Sequence, residues 1–155
     1  MIIRKAKLTD IDRLSELLYE VHKLHARHRP DVFKKRKQKY TKKDLESVLT
    51  NELTPVWVAE EKKQVVGYLF GIYEEIKDHQ SLTDRKTLYI DDLCVDKDFR
   101  KRGIGRQLYN YAKMVARTNG CYDITLNVWN LNPGAIAFYE KLGMQPMKVY
   151  MEEIL

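Results

Sequence analysis

The sequence predicts a mixed α/β or α+β domain, one twisted mixed sheet flanked by helices. Three observations predict it. Short runs rich in β-branched and aromatic residues alternate with longer runs whose apolar residues recur at helical spacing. Turn and cap residues such as Pro30, Thr41, Pro55, Gly120 and Pro133 punctuate the boundaries. The 155 residues suit a single domain, 1–155, which at that size buries roughly 70% of its unfolded surface.

The elements follow in order. Ile2 to Leu8 mixes apolar and basic side chains, as a half-buried first strand does. Thr9, with Asp12 three residues on, reads as a helix N-cap, and Leu14, Leu17, Leu18 and Val21 keep a helical face until Pro30 breaks it. Thr41 starts a short second helix carrying Leu45, Val48 and Leu49. Pro55 to Glu61 and Gln64 to Ile76 read as an antiparallel pair joined at Lys62-Lys63. A polar loop, Asp78 to Lys86, leads to a central strand, Thr87 to Val95. Gly103 to Asn119 is a helix closed by Gly120. Tyr122 to Trp129 is a strand, Pro133 to Gly143 a helix, and Gln145 to Leu155 a final strand or pair.

Composition excludes several classes. Charged residues at 32% and hydrophobic residues at 44% describe a globular chain rather than a disordered one. No apolar run approaches the roughly 20 residues of a membrane helix, and Met1 to Asp12 lacks a signal-peptide core. Cys94 and Cys121 have no disulfide or metal spacing, so a reduced, cytoplasmic protein without a metal is expected. The net charge of +6 is uneven: His22 to Lys43 holds ten Lys/Arg and one acid, and the remainder is slightly acidic. Such a segment is a solvated loop or a patch for nucleic acid or an acidic partner; with only Phe33 and Tyr40 interleaved, nucleic acid is the weaker reading. His22, His25 and His28 share no spacing with a thiol or carboxylate, which argues against a metal site. Trp57 and Trp129 are read as strand packing.

Chemistry concentrates in RKRGIG, Arg100 to Gly105, a cationic glycine turn between a strand and a helix. First-turn amides of a helix lack internal partners and carry partial positive charge, and glycines allow close approach of an anion. A Walker loop is excluded because Arg106-Gln107 follows the second glycine. A dinucleotide fingerprint is excluded because Leu108 stands where a third glycine belongs.

Arg100 to Gly105 matches the Arg/Gln-x-x-Gly-x-Gly/Ala signature of the GNAT acetyltransferases. Asn132 to Met144 (NPGAIAFYEKLGM) resembles that family's Asn-x-x-Ala-x-x-x-Tyr-x-x-x-Gly-Phe stretch, with Met144 replacing Phe. The two motifs stand in the family's order, and its element order covers nearly the whole chain. The resemblance implies the acyl-CoA N-acyltransferase fold and acetyl-CoA as co-substrate. Its pyrophosphate would lie at Arg100, Lys101, Arg102, Gly103, Ile104, Gly105 and Arg106, with Asn132 and Ala135 nearby. Its pantetheine arm would run along Leu93, Cys94 and Val95, between two splayed strands. A bulge in the first of those strands would aim an amide at the thioester.

The resemblance further implies attack by an amine, with Tyr139 protonating the departing thiolate and a carboxylate taking the amine's proton. Asp91 and Asp92, unusual in mid-strand, are the candidate bases. YIDDLCV (Tyr89 to Val95) resembles the acid-rich strand of diamine acetyltransferases, which favours Asp91 with Asp92 as helper. Leu126-Asn127-Val128 lacks the Glu of ribosomal-protein N-terminal acetyltransferases, which ranks small amines (polyamine, amino acid or similar) above protein N-termini or lysines. Family likeness also implies a homodimer through Met147 to Leu155. A non-catalytic binding protein using residues 22–43 is the alternative class, and an acyl group other than acetyl a further one.

Overall fold

The computed structural model describes residues 1–155. Strands β1 (Ile2–Lys5), β2 (Val56–Glu61), β3 (Gln64–Ile76), β4 (Arg85–Val95) and β5 (Asp123–Leu126) form one sheet in chain order. The first four are mutually antiparallel, and β5 joins β4 in parallel. A parallel join needs a crossover, and α3 (Ile104–Thr118) supplies it. The remaining helices are α1 (Ile11–His28), α2 (Lys42–Thr50) and α4 (Pro133–Glu140).

Period-two alternation, reset in β3 where the register shifts at Val66, divides the core between the two faces of the sheet. Val56, Val58, Tyr68 and Phe70 point to one face and pack with Leu14, Leu17, Leu18 and Leu45 of α1 and α2. Trp57, Ala59, Val66 and Leu69 point to the other and meet Ile104, Leu108, Ala112 and Ala116 of α3. Both faces are therefore dry, which is why β2 and β3 read as nearly continuous apolar runs. The hairpin between them turns on Lys62 and Lys63, both at positive φ (50° and 65°), the pattern of a type I′ turn without its usual glycine.

Local signals hold at most boundaries. The Thr41 hydroxyl accepts from the Asp44 amide (3.1 Å) while the Asp44 carboxylate accepts from the Thr41 amide (2.8 Å), a reciprocal cap with Asp in the third place. Thr9, by contrast, is not the cap of α1. It lies in a 3₁₀ turn, Leu8–Asp10, where the Asp10 carboxylate accepts from the Lys7 amide (2.8 Å) and from Arg4 (2.7 and 3.0 Å). That ion pair, between residues six apart, accompanies the end of β1 at Lys5 and the start of α1 at Ile11.

Two expectations fail at the chain's end. Strand β5 stops at Leu126 rather than Trp129, and Gln145 to Leu155 contains no strand. The tail is exposed, with Met147 at 70%, Val149 at 77% and Met151 at 81%. Its contact with the body includes an ion pair from Arg29 to Glu152 (2.9 Å).

Candidate active site

The site is built on an irregularity of β4. Its ladder with β3 runs regularly to Gly71 opposite Ile90, then resumes with Phe70 opposite Asp92, leaving Asp91 without a partner. Asp91 is thus the extra residue of a bulge, which adds twist and re-aims side chains. On the other side, pairing with β5 ends at the same point, Ile90 opposite Leu126. From Asp91 to Val95 the β5-facing edge of β4 is therefore open. Leu93, Cys94 and Val95 pair only with Leu69, Tyr68 and Gly67 of β3. The splay and the bulge that the sequence reading expected are both present.

The bulge brings the two acids to one place despite their strand alternation. Asp92 accepts from the Tyr68 hydroxyl (3.2 Å). Burial pushes its carboxyl up to about 6; the Asp91 charge adds to the rise, while Lys39 and Tyr68 oppose it. Asp91 accepts from Lys39 Nζ (2.6 Å) and from the Tyr40 hydroxyl (2.7 Å), and its carbonyl accepts from the same ammonium (3.0 Å). The Tyr40 ring stacks on Phe70 at 5.7 Å. Burial, and then the bond to Asp91, push the Tyr40 phenol well above its ordinary range.

Tyr139 arrives from α4. The Asn132 side chain caps that helix, accepting from the Ala135 amide (3.1 Å), and Pro133 occupies its first turn. Burial, then the Asp92 charge, then Tyr109 hold the Tyr139 phenol protonated far above neutral pH. Cys94 lies buried beside them; burial and the Asp92 charge push its thiol up to about 12, so it is no nucleophile at neutral pH.

The cationic turn sits at the end of β4. Gly103, at φ 77°, is the N-cap of α3, and the space where its Cβ would stand is open. Gly105 has a different reason: a Cβ there would lie 3.2 Å from the Phe138 ring. The glycine lets α4 dock on the mouth of α3, which ties the position of Tyr139 to the turn. Ile104 is buried beneath. The cations divide in two. Arg100 donates to the Val95 carbonyl (3.1 Å) and Arg102 pairs with Glu61 (2.8 Å). Lys101 and Arg106 project from the exposed surface.

The basic segment is more ordered than a solvated loop. Phe33 packs against His25, His22 and Trp129, and Arg29 lies over the Trp129 ring. Trp129 is thus a roof residue beyond β5, not strand packing, whereas Trp57 is buried against Tyr111 as expected. His22 Nε2 donates to the Lys34 carbonyl (2.6 Å). Lys34, Lys35, Arg36, Lys37 and Lys39 are all exposed, but Lys39 bends its amine onto Asp91. Sequence reasoning missed Lys39, Tyr40 and Tyr68. The available signal was indirect: two acids in a dry strand demand partners.

The comparisons with known proteins agree with this geometry. The model of the Acetyltransferase (GNAT) family matches residues 18–144. The chain is 28% identical over 147 residues to an uncharacterized N-acetyltransferase of Methanocaldococcus jannaschii, covering 95% of this chain and 62% of the relative. It is 28% identical over 144 residues to thialysine N-epsilon-acetyltransferase of Mus musculus, covering 93% and 82%. The chain spans less than half of the rat N-acetyltransferase 8 relatives that it also matches. Among solved structures, a mutant of the BH1408 protein of Bacillus halodurans superposes with a TM-score of 0.96 at 31% identity, over 100% of this chain and 99% of that one. An aminoglycoside acetyltransferase from a soil metagenome, solved with sisomicin, shares the fold with a TM-score of 0.74 at 18% identity, covering 99% and 95%. With the splayed strands, the glycine turn and a family model across most of its length, this chain belongs to the GNAT acetyltransferase family.

Proposed function

We propose that the protein transfers an acetyl group from acetyl-CoA to a primary amine of a small molecule by direct attack. The observation that carries this reading is the open, bulged edge of β4, with two carboxylates, Asp91 and Asp92, at the bulge. The residues present fit acetyl-CoA. The edge from Leu93 to Val95 has unpaired backbone on its β5 side, and the first turn of α3 offers amides beside Gly103, where nothing crowds the backbone. The co-substrate supplies an activated thioester.

The chain's own residues do the rest. An alkylammonium, with a pKa near ~10.4, must lose a proton before it attacks. Asp92, held near 6 by burial, is the better matched acceptor, and Asp91 orients the incoming cation. This shifts the base from Asp91, which Lys39 and Tyr40 already occupy. Tyr139 keeps its proton until a thiolate develops, then donates it. Asn132 and Ala135 act on the site through the cap that holds α4. Arg100 and Arg102 shape the turn, while Lys101 and Arg106 remain to steer phosphate.

A small acceptor is favoured because Lys39 and Tyr40 already lie against Asp91, narrowing access for a folded protein surface. Thiol release measured across a panel of polyamines, amino acids and aminoglycosides tests this. Turnover should fall on the order of 10²-fold with Tyr139→Phe; an unchanged rate removes its role as acid. Acetyl-CoA should also raise the melting temperature, by mass action on the folded state. A homodimer through the tail completes the reading. The tail alternates apolar Met147, Val149 and Met151 with Lys148, Tyr150 and Glu152, and the outer edge of β5 is unpaired.

A further inference from the structure

Lys39 differs from every other cation of the basic segment in where its amine ends. Its Nζ bonds both the carboxylate (2.6 Å) and the carbonyl (3.0 Å) of Asp91, the bulged residue of β4. Lys34, Lys35 and Lys37 point to solvent. Both flanks of Lys39 are pinned. Gln38 Nε2 donates to the Ser15 hydroxyl (2.8 Å) and to the Tyr40 carbonyl (2.6 Å), and Tyr40 is bonded to Asp91 and stacked on Phe70. A primary amine is therefore held beside the acidic pair, where the acceptor of the proposed reaction must bind.

We infer that Lys39 is a resident acceptor, acetylated in cis by the chain's own site. The inference rests on the acetyl-transfer reading above. A tethered amine at the reacting centre has a high effective concentration, so no affinity for a free acceptor is needed. Nζ gives up one proton through the Asp91–Asp92 pair to solvent, and its lone pair attacks the thioester carbonyl carbon. As the carbon–sulfur bond breaks, sulfur keeps the electron pair. The second proton lost by Nζ is balanced by the one that Tyr139 passes to sulfur. The products are a neutral acetamide on Lys39 and free coenzyme thiol. Acetylation removes the ammonium that pairs with Asp91, so the segment from Val32 to Tyr40 loosens and the acidic pair is exposed to diffusing amines. Cationic acceptors that displace Lys39 from Asp91 compete with the self-reaction.

The test incubates the full chain with acetyl-CoA without added amine and maps acetylation by peptide mass spectrometry over time. Lys39 should be modified first and to completion, at a rate independent of protein concentration and slower on the order of 10²-fold in Tyr139→Phe. Modification no faster than at Lys34, Lys35 and Lys37, or a rate that scales with protein concentration, overturns the inference. A second readout needs no co-substrate. Lys39→Gln, which lacks the charge as acetyl-lysine does, should speed amide exchange across Val32 to Tyr40, and unchanged exchange overturns the placement. If acetyl-CoA raises the melting temperature and added amines turn over while Lys39 stays unmodified, only this inference falls. If neither occurs, the acetyl-transfer reading falls and takes it along.

Discussion

Asp92 is the residue where stability and chemistry oppose each other most directly. Its carboxyl lies near 6 in the folded chain against an ordinary 3.8, with burial the leading cause. The folded state thus holds this proton more tightly than the unfolded one. The stabilisation is complete below about pH 3.8 and is lost as pH rises through 6. At neutral pH the buried charge costs up to ~3 kcal/mol. Asp92→Asn keeps an oxygen for the Tyr68 hydroxyl and removes the charge. It should raise the melting temperature near pH 7.5, give no advantage near pH 4, and abolish most turnover. A melting temperature unchanged at both values would show that the charge is not desolvated. In the native protein kcat/KM should climb to a plateau above about pH 6, and that limb should vanish in the variant. Sequence reading found both acids because Asp is unusual in mid-strand. Spacing alone could not rank them and the family resemblance favoured Asp91, because the ranking depends on Lys39, Tyr40 and Tyr68, which reach the acids from a loop and from the neighbouring strand.

Among elements, the coupling of α3 to α4 sets the geometry of the cleft. Gly103 and Gly105 look alike in the sequence and are needed for different reasons. Gly103→Ala meets no atom but must adopt φ 77°, a backbone cost of about 1 kcal/mol. Gly105→Ala meets the Phe138 ring at 3.2 Å and pushes against the residue that precedes Tyr139, an overpacking cost of ~1–3 kcal/mol. Both variants should melt earlier in thermal denaturation. Gly105→Ala should in addition lower kcat, whereas Gly103→Ala should act chiefly on the KM for acetyl-CoA. Equal effects on both kinetic constants would contradict this division. The turn itself was legible because strand, glycines and helix are contiguous in the chain. The Phe138 contact was not, because it joins two motifs that the sequence separates by a helix and a strand. Strand β5 was overextended for a related reason: its length is set by where β4 bulges away at Asp91, not by its own β-propensity.

For the whole molecule, the exposed tail is the feature that bears on partners. Sequence reading took Gln145 to Leu155 as a final strand or pair; Met147 to Glu152 does alternate, but a pattern cannot say which chain supplies the partner. The structure leaves two groups uncovered, one apolar and one an unpaired strand edge. One is the exposed row of Met147, Val149 and Met151. The other is the outer edge of β5, beside a cavity of about 320 Å³ lined in part by Tyr109, Ile124 and Met144. Exposed alternating segments and open edges are aggregation hazards unless covered, and a second copy of the tail would cover the edge by adding a strand. Two-fold exchange of tails would satisfy both groups in both chains at once. Sedimentation of the full chain should therefore give a dimer that dissociates on dilution. The pair Met147→Asp and Met151→Asp should give a monomer with an intact sheet by circular dichroism, and its β5 amides should exchange faster than in the native chain. A native chain that sediments as a monomer at high concentration, with β5 amides already exchanging freely, would remove the tail from the assembly and leave the β5 edge open.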